Sequence, residues 1–172
     1  MREDYHQLLH DKVSALSDRL GRPIDYIEVG VCTGNSAEAV LATGKVRHAT
    51  LIDNWSMKYP GADVQSVLRR LTPFVGKFEL LSGHSSVVLA RITQSFDVGF
   101  VDGDHEDSSC RNDMEKMLPL LRIGGVMFVD DMRQTGNPDK IWLLNVAQNF
   151  ASKYGLPMQE HAVHNGLAEF AL

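Results

Sequence analysis

The stretch Ile24-Asp25-Tyr26-Ile27-Glu28-Val29-Gly30-Val31-Cys32-Thr33-Gly34-Asn35-Ser36 decides the fold. Its first six residues read as a short apolar strand that runs straight into a loop carrying two glycines. Glycines there let the backbone turn tightly and approach a ligand with no Cβ in the way. Asn35, with Glu38 three residues on, has the spacing of a capping box and predicts a helix ending at Gly44. The N-terminus of that helix can offer unpaired N–H groups to whatever the loop holds. The spacing is not G-x-G-x-x-G, so the dinucleotide fingerprint is not met, and no Gly-Lys-Ser/Thr follows, so the loop is no P-loop. Taken alone, the segment also reads as an ordinary glycine turn between a strand and a helix.

Outward from that stretch the same alternation recurs. Tyr5, Leu8, Leu9, Val13, Leu16 and Leu20 fall at helical spacing within Asp4 to Leu20, and Gly21-Arg22-Pro23 stops the helix. Downstream, apolar strands are expected at Ala49 to Ile52, Phe78 to Leu81, Val98 to Val101 and, after Gly124-Gly125, Val126 to Val129. Between and after them come helices: one capped by Asp63, one starting at Ser85, one over Asp107 to Leu118 and one over Pro138 to Tyr154. Met158 to Val163 and Leu167 to Leu172 flank His164-Asn165-Gly166, a strong hairpin signal. Short apolar strands alternating with helices predict an α/β, Rossmann-like, doubly wound sheet, mostly parallel, with an antiparallel hairpin at its C-terminal edge.

Composition narrows the class. The chain has 172 residues, 22 Asp+Glu against 17 Lys+Arg, a formal net charge of −5 and 44% hydrophobic residues. One domain of this size buries roughly 70% of its unfolded surface, so a core forms without disulfides or a structural metal. Cys32 and Cys110 cannot build a disulfide framework, and there is no Cys-x-x-Cys zinc pattern. The acidic balance argues against a nucleic-acid or anionic-membrane partner. Met1-Arg2-Glu3-Asp4 is too charged for a signal peptide, and no apolar run approaches the ~20 residues that span a bilayer. A cytoplasmic enzyme domain is the expectation.

In such sheets ligands bind beyond the carboxyl ends of the strands, and every unusual cluster in this chain sits at one of those ends. Asp53, after the second strand, is placed to accept hydrogen bonds from ribose hydroxyls. Trp55 can pack on an adenine ring or belong to the core. Ser82-Gly83-His84-Ser85-Ser86 can give a purine a polar edge, or Ser85 simply caps a helix. Asp102-Gly103-Asp104-His105-Glu106-Asp107 then gathers four carboxylates and an imidazole, and Asp130-Asp131 adds two more carboxylates after the next strand. If those strands are neighbours, the carboxylates share one rim and repel each other. A hard divalent cation such as Mg²⁺ offsets that repulsion. Asp107 is expected to cap the helix, and Asp102, Asp130 and Asp131 to bind the metal.

Over nearly its whole length the chain resembles the class I S-adenosylmethionine-dependent methyltransferases. Glu28 to Gly34 matches their first motif, whose loop holds the methionine part of the cofactor, and Asp53 matches their ribose-binding acidic residue. The resemblance implies a seven-stranded sheet and one domain over residues 1–172, with an N-terminal helix in 1–21 and a catalytic core over 24–172. It implies S-adenosylmethionine held by Glu28, Gly30, Thr33, Gly34, Ser36, Asp53, Trp55, His84, Ser85 and Asp102. The run Asp102-Gly103-Asp104-His105 with Gly124-Gly125 and Asp130-Asp131 looks like the metal-dependent small-molecule O-methyltransferases, including sugar-modifying members. That implies Mg²⁺ on Asp102, Asp130 and Asp131, with Asp104 or His105 as the base that takes the acceptor's hydroxyl proton. Histidine is better poised near neutral pH, whereas sugar-type relatives place the base on the second aspartate.

One departure bears on the acceptor. About 25 residues precede the first strand, so the expectation is a chain without the extended N-terminal lid of many small-molecule methyltransferases. Acceptor recognition then falls to the loops Trp55 to Asp63 and Arg133 to Lys140, or to a partner subunit of a homo-oligomer. The expected function is Mg²⁺-assisted O-methylation of a small hydroxylated acceptor such as a sugar or phenol. Its rivals are a metal-independent methyltransferase and a catalytically silent protein that binds S-adenosylmethionine or forms oligomers. A Rossmann-like oxidoreductase is disfavoured by the glycine spacing of the first loop.

Overall fold

A computed structural model describes residues 5–56, 60–134, 137–163 and 165–172. After α1 (Tyr5–Leu20), the chain alternates β1 (Ile24–Val29), α2 (Asn35–Ala42), β2 (Val46–Asp53), α3 (Val64–Arg70), β3 (Phe78–Ser82) and α4 (Ser85–Val88). It continues through β4 (Phe96–Val101), α5 (Asp107–Met117) and β5 (Leu121–Val129), then a ribbon of β6 (Arg133–Gln134) and β7 (Asn137–Ile141). The last elements are α6 (Leu144–Tyr154), β8 (Met158–His161) and β9 (Leu167–Ala171).

Seven strands form one sheet in the order β3-β2-β1-β4-β5-β9-β8. Pairings from β3 to β5 are parallel, whereas β9 runs antiparallel to both β5 and β8. This is the expected sheet with its terminal hairpin. The strand order reverses between β1 and β4, the switch point at which open α/β sheets leave a crevice.

Both faces of the sheet are covered, which is why β1 and β4 are buried at every position. Leu9, Val13 and Leu16 of α1 pack with Val40 and Val67 against Tyr26, Leu51, Phe100 and Phe128 on one face. Cys110, Met114 and Met117 of α5 and Val146, Ala147 and Phe150 of α6 pack against Ile27, Ile52, Val101 and Met127 on the other. Each large apolar side chain so buried contributes about 1.5–3 kcal/mol. Among the described residues no helix is long and apolar enough to cross a membrane.

Several local expectations are corrected. The helix expected from Pro138 starts at Leu144, and residues 137–141 instead pair antiparallel with β6. The apolar period of that helix never extended upstream of Leu143. The amides of Trp142 and Leu144, both donating to the Met132 carbonyl at 2.9 and 3.2 Å, fold the chain back at this point. The Asn35/Glu38 capping box does not form. Gly34 occupies the cap position in the left-handed region (φ 80°) with no side-chain bond, and the Glu38 carboxylate accepts from Arg70 at 2.6 Å instead. Asp63 caps α3 as expected, accepting from the Ser66 amide at 2.9 Å. The Gly124-Gly125 pair lies inside β5 rather than before it, beside a register shift opposite Phe96 and Val98. Of the hairpin turn, His164 lies outside the described residues.

Candidate active site

Two loops meet at the switch point. After β1, Gly30 adopts φ +92°, and a Cβ there would stand 1.9 Å from the Asp102 carbonyl oxygen. After β4, the Asp102 amide donates to the Val29 carbonyl at 2.8 Å. The loop that follows β1 thus lies directly on the one that follows β4, and only glycine permits it. Beside this junction opens a cleft of about 390 Å³, lined by Gly30, Cys32, Asp53, Asn54 and Ser56 on one side and by His84, Ser85, Asp102, Asp104 and Asp113 on the other. That volume suits a ligand of cofactor size.

Asp53 organises the near wall. One carboxylate oxygen accepts from the Cys32 amide at 2.8 Å and the other from the Trp55 amide at 2.7 Å. Each oxygen retains a lone pair, so the group can still receive hydroxyl donors from a ligand. On the far wall the His84 side chain, not Ser85, caps α4: its Nδ1 accepts from the Ser86 amide at 3.3 Å. An accepting Nδ1 leaves Nε2 as the donor of the neutral ring. Ser85 Oγ donates instead to Asp113 at 2.6 Å, which secures a carboxylate that burial pushes above its ordinary pKa.

The acidic rim lies at the ends of β4 and β5, which are adjacent and pair Val101 with Val129. Single donor atoms of Asp102, His105 and Asp131 all lie within 4.8 Å of one another. His105 Nε2 is 3.0 Å from Asp131 Oδ2 and 3.7 Å from Asp102 Oδ1. Asp131 sits in the left-handed region (φ 59°), and its other oxygen accepts from Asn165 Nδ2 at 2.6 Å. Asp130 is only 4% exposed, and its Oδ1 is buried with no hydrogen-bond partner. Burial, then the charges of Asp102 and Asp131, push the Asp130 carboxyl well above the carboxylate range. Burial also raises Asp102, against the opposing influence of His105.

A family model described as a methyltransferase domain matches residues 27–132. The chain belongs to that methyltransferase family. No curated protein matches it. Among solved structures it is similar to a protein assigned as a caffeoyl-CoA O-methyltransferase from Staphylococcus aureus, at 16% identity and TM-score 0.75, covering 95% of this chain and 82% of that one. The O-methyltransferase TomG from Streptomyces achromogenes, involved in tomaymycin synthesis and solved with S-adenosylmethionine, aligns at 16% identity and TM-score 0.73 over 98% of this chain and 79% of its own. A Bacillus cereus O-methyltransferase solved with S-adenosylhomocysteine aligns at 14% identity and TM-score 0.71, over 98% and 80%. At these identities the likeness establishes the Rossmann-like methyltransferase fold.

Within this methyltransferase the residues singled out by sequence divide into three groups. Gly30, Asp53, His84, Ser85, Asp102 and Asp104 line the cleft. Glu28 and Ser36 do not. Glu28 is fully buried beneath the loop, accepting from Ser36 Oγ at 2.5 Å and Tyr26 Oη at 2.8 Å. Burial pushes its pKa up to about 8, and those two hydrogen bonds only partly oppose the rise. Thr33 and Gly34 lie in the turn before α2, the Trp55 indole N–H donates to Ser82 Oγ at 2.9 Å, and none of the three lines the cleft. Asp107 does not cap α5; the Asp104 carboxylate accepts from the Glu106 amide at 3.3 Å and from Ser109 Oγ at 2.8 Å.

Other site residues escaped the sequence argument. Asn165 reads in the sequence only as a turn residue and Asp113 only as part of a polar helix, and the pairing of β5 with β9 and the packing of α5 bring them to the site. Tyr5 is another. Burial raises its phenol far above the ordinary range, and the charges of Asp102, Asp130, Glu28 and Asp131 raise it further, so the first turn of α1 reaches the rim. Its ring packs 6.1 Å from that of Phe100. The sequence signal was present, since Tyr5 begins the apolar stripe of α1, but the stripe does not say which end of the sheet it crosses.

Proposed function

We propose that the protein transfers a methyl group from S-adenosylmethionine to a hydroxyl of a small acceptor, with a divalent cation held at the acidic rim, as one catalytic unit over residues 1–172. The observation that carries the proposal is the double position of Asp102. It lines the cleft together with Gly30 and Asp53, and its carboxylate is also part of the donor cluster with Asp131. A ligand in the cleft and an acceptor at the rim would therefore be neighbours.

The residues fit both groups. For the cofactor, Gly30 removes the Cβ that would close the loop junction, and Asp53 keeps acceptor capacity for ribose hydroxyls. For a cation, Asp102 and Asp131 present converging oxygens, and Asp130 Oδ1 stands buried beside them without a partner. When bound, the cofactor supplies an electrophilic sulfonium methyl, and the cation lowers the pKa of the acceptor hydroxyl. Asp104 then takes the hydroxyl proton: its carboxylate lines the cleft and is oriented by Ser109 Oγ and the Glu106 amide. His105 is less available for that role, because its Nε2 already faces Asp131 at 3.0 Å. Most of the chain's contribution is alignment of the two substrates.

Calorimetric titration with S-adenosylmethionine, with and without Mg²⁺, tests the assignment. Binding of S-adenosylmethionine or S-adenosylhomocysteine is expected, with NAD failing to compete at comparable concentration. Tighter binding of NAD than of S-adenosylhomocysteine would overturn it. Methyl transfer to a panel of small phenols and sugars then identifies the acceptor class.

A further inference from the structure

We infer that the cation at this rim is a first-row transition metal bound in part by the His105 imidazole, which makes His105 a ligand. The inference deepens the proposed function and rests on its claim that the rim holds a cation. Two donors each about 2.1 Å from one ion stand about 3.0 Å apart when adjacent and about 4.2 Å apart when opposite. The separations of His105 Nε2 from Asp131 Oδ2 (3.0 Å) and from Asp102 Oδ1 (3.7 Å) both fall in that interval.

The donors are held where an ion needs them. The His105 ring meets Trp142 edge-on at 4.9 Å and 80°, which fixes its plane. Asn165 occupies Asp131 Oδ1 and leaves Oδ2 for the cluster, the kind of outer contact that orients a ligating carboxylate. An independent sign comes from Asp130, whose buried Oδ1 has no partner although its neighbours Asp102 and Asp131 are both acidic. The basic groups that face these carboxylates among the described residues are imidazoles, His105 beside Asp102 and Asp131 and His6 toward Asp102, and no lysine or arginine lines the cleft.

The donor chemistry then selects among ions. Mg²⁺ favours oxygen ligands throughout and keeps its waters. One imidazole beside two carboxylates favours Mn²⁺, Fe²⁺, Co²⁺ or Zn²⁺, because nitrogen donors strengthen binding along the transition series. The competing account of the 3.0 Å contact is a plain histidine–carboxylate pair with no nitrogen on any metal.

Pulsed electron paramagnetic resonance on the full chain with one equivalent of Mn²⁺ separates these accounts. Nitrogen coupling from a directly bound imidazole is expected in the wild type and should change with ¹⁵N-histidine labelling. In His105→Gln the coupling should vanish, and Mn²⁺ affinity should fall by about 10–100-fold, more than Mg²⁺ affinity does. The wild-type spectrum decides the matter even if the variant folds poorly. Bound Mn²⁺ without nitrogen coupling, or coupling that persists in His105→Gln, overturns the inference while leaving the proposed cation intact. Failure to bind any Mn²⁺ overturns it together with the cation, and S-adenosylmethionine titration of the same sample shows whether the methyltransferase assignment survives.

Discussion

Where β1 and β4 begin, Asp25 and Asp97 are buried, 6% and 1% exposed, and three guanidinium groups meet them. Arg22 grips Asp97 with two bonds of 2.7 and 2.9 Å, Arg122 reaches both carboxylates at 3.0 Å, and Arg47 closes on Asp25. Where β4 and β5 end, Asp130 and Asp131 are similarly buried, 4% and 6% exposed, and among the described residues the basic side chain that pairs with Asp131 is the His105 imidazole. Burial acts upward on Asp97 and on Asp130 alike. At Asp97 the hydrogen bonds from Arg22, the Asp25 amide and Arg122 outweigh it and bring the pKa below the ordinary value. At Asp130 nothing outweighs it, and the neighbouring acids push the same way. Carboxylates of similar solvent exposure therefore separate into a structural clamp held by guanidinium groups and a rim whose basic partner, among the described residues, is an imidazole.

The largest way to sharpen that contrast is at the rim. Asp104→Asn should lower turnover by about 10²–10⁴-fold, read as S-adenosylhomocysteine release with an active acceptor, while the thermal midpoint and cofactor affinity stay near wild type. Unchanged turnover would remove Asp104 as the base. At the clamp the effect should be on folding instead. Asp97→Ala removes a buried acceptor of Arg22, Arg122 and the Asp25 amide, leaving the half-exposed guanidinium groups to water, and should cost about 1–3 kcal/mol in urea denaturation, with S-adenosylmethionine affinity measured at low temperature unaltered. A loss below 1 kcal/mol would mean that the clamp is an ordinary exposed ion pair. Asp53→Ala should weaken cofactor binding by about 1–3 kcal/mol in calorimetry, since it removes a charged hydrogen-bond acceptor from the cleft.

The smallest effect is a pH dependence. A carboxyl whose folded pKa is raised keeps its proton where the unfolded chain has lost it, so stability falls as pH rises above the ordinary carboxylate range. Asp130 and Glu28 both act in this sense. The metal-free protein should therefore melt at a lower temperature at pH 8 than at pH 5.5, and Mn²⁺ should reduce the difference. Asp97 has the opposite sign, contributing above its unfolded pKa of about 3.9 and losing that contribution only at lower pH, so it does not confuse the interval. A midpoint that is flat or rises between pH 5.5 and pH 8 would show that the rim carries no uncompensated charge.

Strand ends were the most legible feature of the sequence, because runs buried on both faces of a parallel sheet are apolar and end abruptly in polar residues. That located Gly30, Asp53, Asp102 and Asp131 at one edge before any geometry was known. The start of α6 was misplaced because Pro138 is also a permissible first helical residue, and nothing local reports the backbone bonds from Trp142 and Leu144 to Met132. The Asn35/Glu38 spacing misled for a similar reason: a capping box is a local pattern, and Arg70, 32 positions away, claimed Glu38. Glu28 looked like a loop ligand, whereas its partners Tyr26 and Ser36 bury it as a brace. Asn165 and Tyr5 reach the rim only through long-range packing, which no short window of sequence contains.

The contact between Gly30 and the Asp102 carbonyl makes two loops from separate crossovers into one mechanical part. Any side chain at position 30 must either lift the first loop away from the cleft or press Asp102 out of line with Asp131. Position 30 can change only if the loop after β4 changes with it. A library that varies the two loops independently will therefore return Gly30 almost without exception. One that varies them together is the route to a rim of different shape, and hence to a different acceptor.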